Sequence, residues 1–162
     1  MTEIPHQNIT FKVIGAAMRV HNEIGPGLRE VIYQKALSAA LRDAGLTFEE
    51  ERPYEVKLQD ESIGLLYVDH LVEERVIVET KVLRHLLTKD EVAQVITYLG
   101  VTGAPVGLLL NFGRRRLEYK RILPPRKFQD WRERTGRLAW QPPGEKDSNL
   151  FIRSESVVNQ VT

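Results

Sequence analysis

The segment Arg75–Lys81 limits the fold of this chain more than any other stretch. It is an apolar, β-branched run that ends in a glutamate and a lysine at positions 79 and 81. Because the side chains of a strand alternate between two faces, Glu79 and Lys81 lie on one face together with Ile77. A strand that is apolar on both faces is typical of the centre of a sheet, where a lone charge is costly. The segment therefore predicts a buried strand whose charged groups have partners or a bound cation.

An aspartate lies ten residues before Glu79 in the sequence. If residues 63–69 and 75–82 form an antiparallel hairpin with its tip near Glu74, Asp69 lies directly opposite Glu79. Opposed residues share a face, with Cβ atoms about 5 Å apart. A divalent cation such as Mg²⁺ neutralises two carboxylates at that separation, and Lys81 would stand beside it to orient a water molecule. The alternative is a surface hairpin with a charged end.

A third acid lies at the start of the second predicted helix. Glu30, Tyr33, Leu37 and Leu41 follow a helical stripe, so the acid is on the face that buries tyrosine and leucine. Glu30 is thus a further candidate metal ligand. The alternative is that Glu30 only stabilises the first turn of the helix through the helix dipole.

The third predicted helix carries two polar residues one turn apart. Thr88 and Glu91 form a capping-box pattern that opens this helix, and Gln94 and Tyr98 flank its apolar stripe. These two side chains could hold a phosphate or a base near the metal. They could equally be boundary residues with polar ends.

The chain is long enough for one domain with one core. Helices are expected at residues 10–23, 28–44 and 88–103, and strands at 47–51, 54–59, 63–69, 75–82, 106–111 and 116–122. This order, α-α-β-β-β-β-α-β-β, predicts a mixed α/β domain with a central sheet at residues 9–125. Residues 1–8 are expected to be a flexible terminus. Residues 126–162 are expected to be a basic and then polar extension, partly disordered or loosely packed.

The amino-acid composition argues against several classes of protein, namely disulfide-bonded, zinc-binding and membrane-spanning ones. Cysteine is absent, which excludes disulfides and thiolate metal sites and fits a reducing compartment, so we expect a cytoplasmic protein. The four histidines lack a zinc-binding spacing, and we expect ordinary surface or half-buried roles for them. There is no apolar run near the roughly 20 residues of a membrane helix, so no membrane association is expected.

Charge is unevenly distributed along the chain. Residues 114–137 hold ten lysines and arginines against three acids, a balance of +7, whereas the whole chain carries +1. A basic segment on an otherwise acidic protein suits a polyanion such as nucleic acid. The candidate phosphate-contacting residues are Arg114, Arg115, Arg116, Lys120 and Arg121. A solvated surface with a basic tail is the alternative.

Taken together, these motifs resemble the PD-(D/E)XK nuclease superfamily. Its signature is an aspartate at the end of one strand and E-x-K on the antiparallel neighbour, here Asp69 and Glu79-Thr80-Lys81. Gln94-Val95-Ile96-Thr97-Tyr98 resembles the Q-x-x-x-Y element of its exonuclease-like branch. More narrowly, the segment Gly27–Tyr33 resembles the element for which the bacterial GxxExxY proteins are named, in which an N-terminal helix supplies an extra acid. Val68 replaces the signature proline before the aspartate.

The resemblance covers roughly residues 9–125 and implies a restriction-endonuclease-like core. It implies that Glu30, Asp69 and Glu79 bind Mg²⁺ or Mn²⁺ and that Lys81 is the catalytic lysine. Gln94 and Tyr98 would be accessory site residues, with Tyr33 of the GxxExxY element beside them. The implied activity is metal-dependent hydrolysis of phosphodiester bonds, in DNA rather than RNA.

Two other functions are compatible with the sequence. The first is a non-catalytic module that binds nucleic acid or protein on the same fold and needs no metal. The second is an assembly factor, a homo-oligomer for example, that uses Phe128, Trp131 and Trp140 as a docking arm.

Overall fold

A computed structural model describes residues 5–125 of the chain. The predicted extension at 126–162, with Phe128, Trp131 and Trp140, lies outside the described residues. The elements are α1 (Gln7–Ile24), α2 (Glu30–Asp43), β1 (Phe48–Leu58), β2 (Glu61–Val72), β3 (Val76–Lys81), α3 (Lys89–Thr102), β4 (Val106–Asn111) and β5 (Glu118–Ile122). No helix in this part of the chain has both the length and the apolarity to cross a membrane.

The two N-terminal helices each bury one stripe of side chains. The buried stripes include Val13, Ala17 and Val20 in α1 and Tyr33, Leu37 and Leu41 in α2. This confirms the predicted stripe of the second helix. The first helix begins at Gln7, inside the segment 1–8 that was expected to be flexible. It ends at Gly25, whose φ of 65° is a conformation that glycine adopts at little cost.

The five strands form one mixed sheet in the order β1-β2-β3-β4-β5. Strands β3 and β4 are parallel and are joined by α3, whereas the other neighbouring pairs are antiparallel. All six residues of β4 are buried, as are the first five of β3, so these two strands form the centre of the sheet. The predicted α/β class and the central position of the Arg75–Lys81 segment are confirmed.

Helices cover both faces of the sheet. Val76 and Val78 of β3 belong to the apolar cluster that includes α1 and α2, whereas Ile77 belongs to the cluster that includes α3. Because side chains alternate along a strand, Glu79 and Lys81 lie on the same face as Ile77, toward α3. Helix α3 begins with the predicted capping box, in which Thr88 Oγ1 accepts from Asp90 N at 3.2 Å.

The first strand differs from the prediction. Residues 47–51 and 54–59 were expected to be separate strands, but β1 is continuous from Phe48 to Leu58. It lies at the sheet edge, where a proline such as Pro53 removes no necessary ladder hydrogen bond. The pairing with β2 runs from Glu50↔His70 directly to Arg52↔Val68, and Glu51 between them has a φ of 48°. The register is the same on both sides of Glu51, and it shifts only between Val56 and Lys57.

Candidate active site

Asp69 and Glu79 face each other at the point where the β2–β3 ladder ends. Backbone pairs in this hairpin run from Val72↔Val76 to His70↔Val78. One further step in the same register places Asp69 opposite Glu79, which confirms the predicted pairing. The turn between the strands contains Glu73 and Glu74, both with positive φ, at the predicted tip.

Carboxylates replace the backbone acceptors at this step of the ladder. The backbone N–H of Asp69 donates to Oε1 of Glu79 at 3.0 Å. In return, the backbone N–H of Thr80 donates to Oδ2 of Asp69 at 2.8 Å. Each carboxylate therefore has one oxygen fixed by the opposite strand. Within residues 5–125, their second oxygens make no hydrogen bond.

The Glu79 carboxyl is strongly desolvated. The residue is only 4% exposed. The pKa of Glu79 is raised to about 8, mainly by burial and secondly by repulsion from Asp69. The hydrogen bond from Asp69 N and the charge of Lys81 act in the opposite direction. A buried acid beside a second acid gains most from a cation that neutralises both.

Glu30 and Lys81 interact electrostatically with this pair. Glu30 is exposed as a residue, yet desolvation of its carboxyl raises its pKa, with repulsion by Asp69 as the second cause and attraction by Lys81 as an opposing one. Oε1 of Glu30 accepts a hydrogen bond from Gln34 Nε2 at 3.1 Å. The structure thus brings the three predicted acids and the lysine into one electrostatic neighbourhood.

Tyr33 is buried and supports the loop that precedes α2. Its hydroxyl donates to the carbonyl of Gly25 at 2.5 Å and accepts from the backbone N–H of Leu28 at 3.2 Å. Its ring stacks on Phe112 with centroids 4.9 Å apart. These contacts fix where α2 begins and hence where Glu30 lies. Tyr33 therefore acts on the site through Glu30, and its hydroxyl is already used by the loop.

Gln94 and Tyr98 form a bonded pair on the α3 side of the site. Gln94 Nε2 donates to the Tyr98 hydroxyl at 3.1 Å. Burial raises the pKa of Tyr98, and the charges of Glu79 and Asp69 add to that increase. The Tyr98 hydroxyl is therefore near enough to both carboxylates for their charges to act on it.

Sequence reasoning missed a second layer behind Asp69. His70 is 1% exposed, and its Nε2 lies 2.8 Å from Ser38 Oγ of α2. Ser38 Oγ also donates to the carbonyl of Gln34, the residue that holds Glu30. His70 and the likewise buried His21 therefore differ from the expected surface or half-buried histidines. The only available signal was the position of His70 directly after Asp69.

The predicted basic residues do not form one surface. Lys120 pairs with Leu109 and Arg121 pairs with Leu108, so the two side chains point to opposite faces of the sheet. Arg121 donates to Thr10 Oγ1 of α1 at 3.1 Å. Arg114, Arg115 and Arg116 instead line a cavity with Arg84, a residue that was not predicted.

Comparison with known proteins assigns the family. The model of the PD-(D/E)XK nuclease superfamily matches residues 7–122. The chain belongs to this superfamily. No curated protein sequence matches the chain significantly. The crystal structure of SSO0001 is similar at 18% identity and a TM-score of 0.42, covering 78% of this chain and 72% of that one.

The matched range includes both strands of the site. Asp69 and Glu79-Thr80-Lys81, the residues that resemble the superfamily signature, lie on the adjacent antiparallel strands β2 and β3. The match is to the superfamily, so the narrower GxxExxY assignment stays a prediction.

A divalent cation, which PD-(D/E)XK nucleases usually use, is compatible with the residues present. Asp69 and Glu79 each keep an oxygen without a hydrogen bond in the described part, and carboxylate oxygens suit Mg²⁺ and Mn²⁺. Within residues 5–125, no three His, Asp or Glu side chains are grouped closely enough to hold an ion by themselves. The donor set therefore fits an ion that Asp69 and Glu79 would hold, with other ligands from water or substrate.

Proposed function

We propose that this PD-(D/E)XK protein is a Mg²⁺- or Mn²⁺-dependent nuclease that hydrolyses phosphodiester bonds, in DNA rather than RNA. The observation that carries this proposal is the reciprocal pair of hydrogen bonds between Asp69 and β3, which holds two carboxylates side by side near Lys81. Two adjacent carboxyl groups, one of them buried with a raised pKa, are typical of a functional site, and a cation beside them would favour the charged form of both.

The residues divide the work of hydrolysis between them. Asp69 and Glu79 bind the cation, which would polarise the phosphoryl oxygen and acidify a water molecule. The Lys81 ammonium orients the attacking water and offsets negative charge in the transition state. Gln94 and Tyr98 hold the substrate on the α3 side, and Glu30 orients a water molecule on the α2 side.

Burial of the carboxylates contributes to the activity. Glu79 lies in a desolvated position, so its electrostatic interactions are stronger than they would be in water. The backbone hydrogen bonds to Asp69 and Glu79 fix both carboxylates before substrate arrives. A preorganised site of this kind loses little free energy to reorganisation during the reaction.

The test is incubation of the purified protein with DNA and with RNA, in Mg²⁺, in Mn²⁺ and in a chelator. We expect cleavage that needs the metal and that Asp69→Ala abolishes. Glu61→Ala, which removes an exposed acid from the same strand, is the matched control and should stay active. If the wild type and Asp69→Ala are equally inactive, while calorimetry shows nucleic-acid binding without any Mg²⁺ heat, the protein is a binding module instead.

A further inference from the structure

A cavity of about 670 Å³ lies beyond the carboxyl ends of β3 and β4. It is lined by Pro26, Arg84, Gly113, Arg114, Arg115 and Arg116. Four of these six residues are arginines and none is acidic. Within residues 5–125, none of the four guanidinium groups has an ion-pair partner. Four like charges around one concave space favour an anionic ligand.

The backbone of this cavity is held in place by a buried side chain. Asn111 is fully buried, and its Oδ1 accepts from the backbone N–H groups of Leu83 at 2.8 Å and Gly113 at 3.1 Å. Its Nδ2 donates to the carbonyl of His85 at 3.1 Å. One amide therefore ties the loop that carries Arg84 to the turn that carries the other three arginines.

The two segments also approach unusually closely. A Cβ atom on Gly113 would lie 2.4 Å from the carbonyl oxygen of Leu83 and 2.5 Å from its nitrogen. Only glycine fits there without a backbone shift. On the other side, Nε2 of His21 in α1 is 2.7 Å from the carbonyl oxygen of Arg114. The frame of the cavity is thus fixed before any ligand binds, which lowers the entropic cost of binding.

The chain connection limits how far the cavity can lie from the proposed catalytic carboxylates. Lys81 pairs with Asn111 across β3 and β4, so the arginine segments begin just after this pair. Arg84 follows Glu79 by five residues, which limits the distance between their Cα atoms to roughly 18 Å. A nucleic-acid strand that is bound at Glu79 can therefore place a phosphate a few nucleotides away in the cavity.

We propose that this cavity is a phosphate subsite that binds one phosphate group of the nucleic-acid strand, with Arg84 and Arg115 as ligand-binding residues. Planar guanidinium groups bind phosphate oxygens in pairs, and four of them suit a group with several oxygens. The nature of the ligand rests on the proposed function. The binding itself needs neither metal nor catalysis, so the two proposals fail separately.

The experiment measures binding by the full chain carrying Glu79→Gln, in chelator, so that the substrate stays intact. The probes are a labelled linear oligonucleotide with a 5′-phosphate, the same strand with a 5′-hydroxyl, a circular strand, and inorganic phosphate alone. Arg84→Gln and Arg115→Gln are compared with Arg42→Gln. Arg42 is an exposed arginine about 18 Å along α2 from Glu30.

We expect Arg84→Gln and Arg115→Gln each to lower affinity roughly tenfold or more, because each removes charge-assisted hydrogen bonds. The slope of log affinity against log salt should fall by about one for each variant. Arg42→Gln should change affinity less than about twofold. A loss on all three strands identifies an internal phosphodiester as ligand, and a loss confined to the 5′-phosphorylated strand identifies a terminal phosphate.

Two outcomes overturn the phosphate subsite. One is equal affinity of Arg84→Gln, Arg115→Gln and Arg42→Gln for every strand. The other is a loss of binding to inorganic phosphate alone, with oligonucleotide affinity unchanged, since the cavity would then bind a free anion. Circular dichroism of each variant checks that the fold is intact.

Discussion

The acidic and the basic region of this molecule lie near the same end of β3 but are built in different ways. Asp69 and Glu79 lie on strands, and hydrogen bonds from the opposite strand fix their carboxylates. The arginines of the cavity lie on loops, and Asn111 fixes the backbone of those loops rather than the charged groups. Glu79 is buried, whereas Arg84 and Arg115 are exposed.

In the proposed function, the acidic region serves catalysis and the basic region serves substrate binding. Burial makes the charged form of Glu79 costly, and a bound cation would lower that cost. An exposed guanidinium keeps its hydration and its mobility until a phosphate arrives, which costs the fold little. We therefore expect variants in the two regions to affect different steps of the reaction.

The largest expected effect is on turnover. Glu79→Gln should lower kcat more than about 100-fold in Mg²⁺, because even residues outside the ligand shell of a metal cost 10–100-fold when they are removed. Its affinity for nucleic acid in chelator near pH 7 should be unchanged, because Glu79 with a pKa of about 8 is already protonated in the metal-free protein. Steady-state kinetics and fluorescence anisotropy give the two quantities.

An arginine variant should show the reverse pattern. Arg115→Gln is expected to raise KM with a much smaller change in kcat, which is the signature of lost uniform binding. If Glu79→Gln and Arg115→Gln lower kcat equally, the proposed separation of the two regions is wrong.

The second prediction concerns stability against pH in the metal-free protein. The pKa of Glu79 is about 8 in the folded state, whereas an ordinary glutamate has a pKa of about 4.5. Between these values the folded state holds a proton that the unfolded state has released, so this group costs stability as pH rises from about 4.5 to 8. Glu79→Gln should therefore be more stable than wild type at pH 8 by a few kcal/mol, and equally stable at pH 4.

Denaturant unfolding in chelator at several pH values measures this difference. The lowered pKa values of His70 and Glu91 also make the free energy of unfolding depend on pH. These contributions are the same in the wild type and in Glu79→Gln, so they cancel in the difference between the two proteins. A stability difference that is the same at pH 4 and pH 8 would show that Glu79 does not carry the proton. Added Mg²⁺ should stabilise the wild type more than the variant at pH 8.

The acidic region could be predicted from the sequence because its residues are close together in the sequence. Asp69 and Glu79 belong to one hairpin, and the period of two fixes their faces once the tip at Glu74 is known. The basic region could be predicted only in part, since Arg114, Arg115 and Arg116 are adjacent in the sequence but Arg84 is not. Arg84 meets Arg115 only because β3 and β4 are neighbours and the glycine at 113 admits the loop, which are consequences of tertiary packing.

Two further features were outside the reach of sequence patterns. The break expected before Pro53 is absent because β1 is an edge strand, and edge position depends on the whole sheet. The hydrogen bond between His70 and Ser38 joins β2 to α2, and nothing in the spacing of these two residues indicates it. The ends of the helices were easier to predict from the sequence, because Gly25 and the Thr88 capping box are signals within a few neighbouring residues.

The third prediction tests the frame of the basic region. Gly113→Ala should destabilise the fold by about 1–3 kcal/mol, because its Cβ would collide with the backbone of Leu83. It should also weaken nucleic-acid binding, since the shift separates Arg84 from the other arginines. Gly64→Ala is the matched control, with no atom within 4 Å of the added Cβ, and should be neutral or slightly stabilising. Thermal unfolding and anisotropy measure both effects, and equal behaviour of the two variants would refute the close approach.

The smallest effect on stability and kcat is expected for Ser38, which contacts His70 behind the acidic region. Ser38→Ala removes the partner of His70 Nε2 and leaves a buried nitrogen unpaired, which should cost about 1–2 kcal/mol. Ser62→Ala, at an exposed position of β2, should cost almost nothing. Because Ser38 also bonds to the carbonyl of Gln34, which holds Glu30, kcat should fall modestly in Ser38→Ala while KM stays the same. Unchanged kcat with lowered stability would mean that the His70–Ser38 contact supports the fold without positioning the acids.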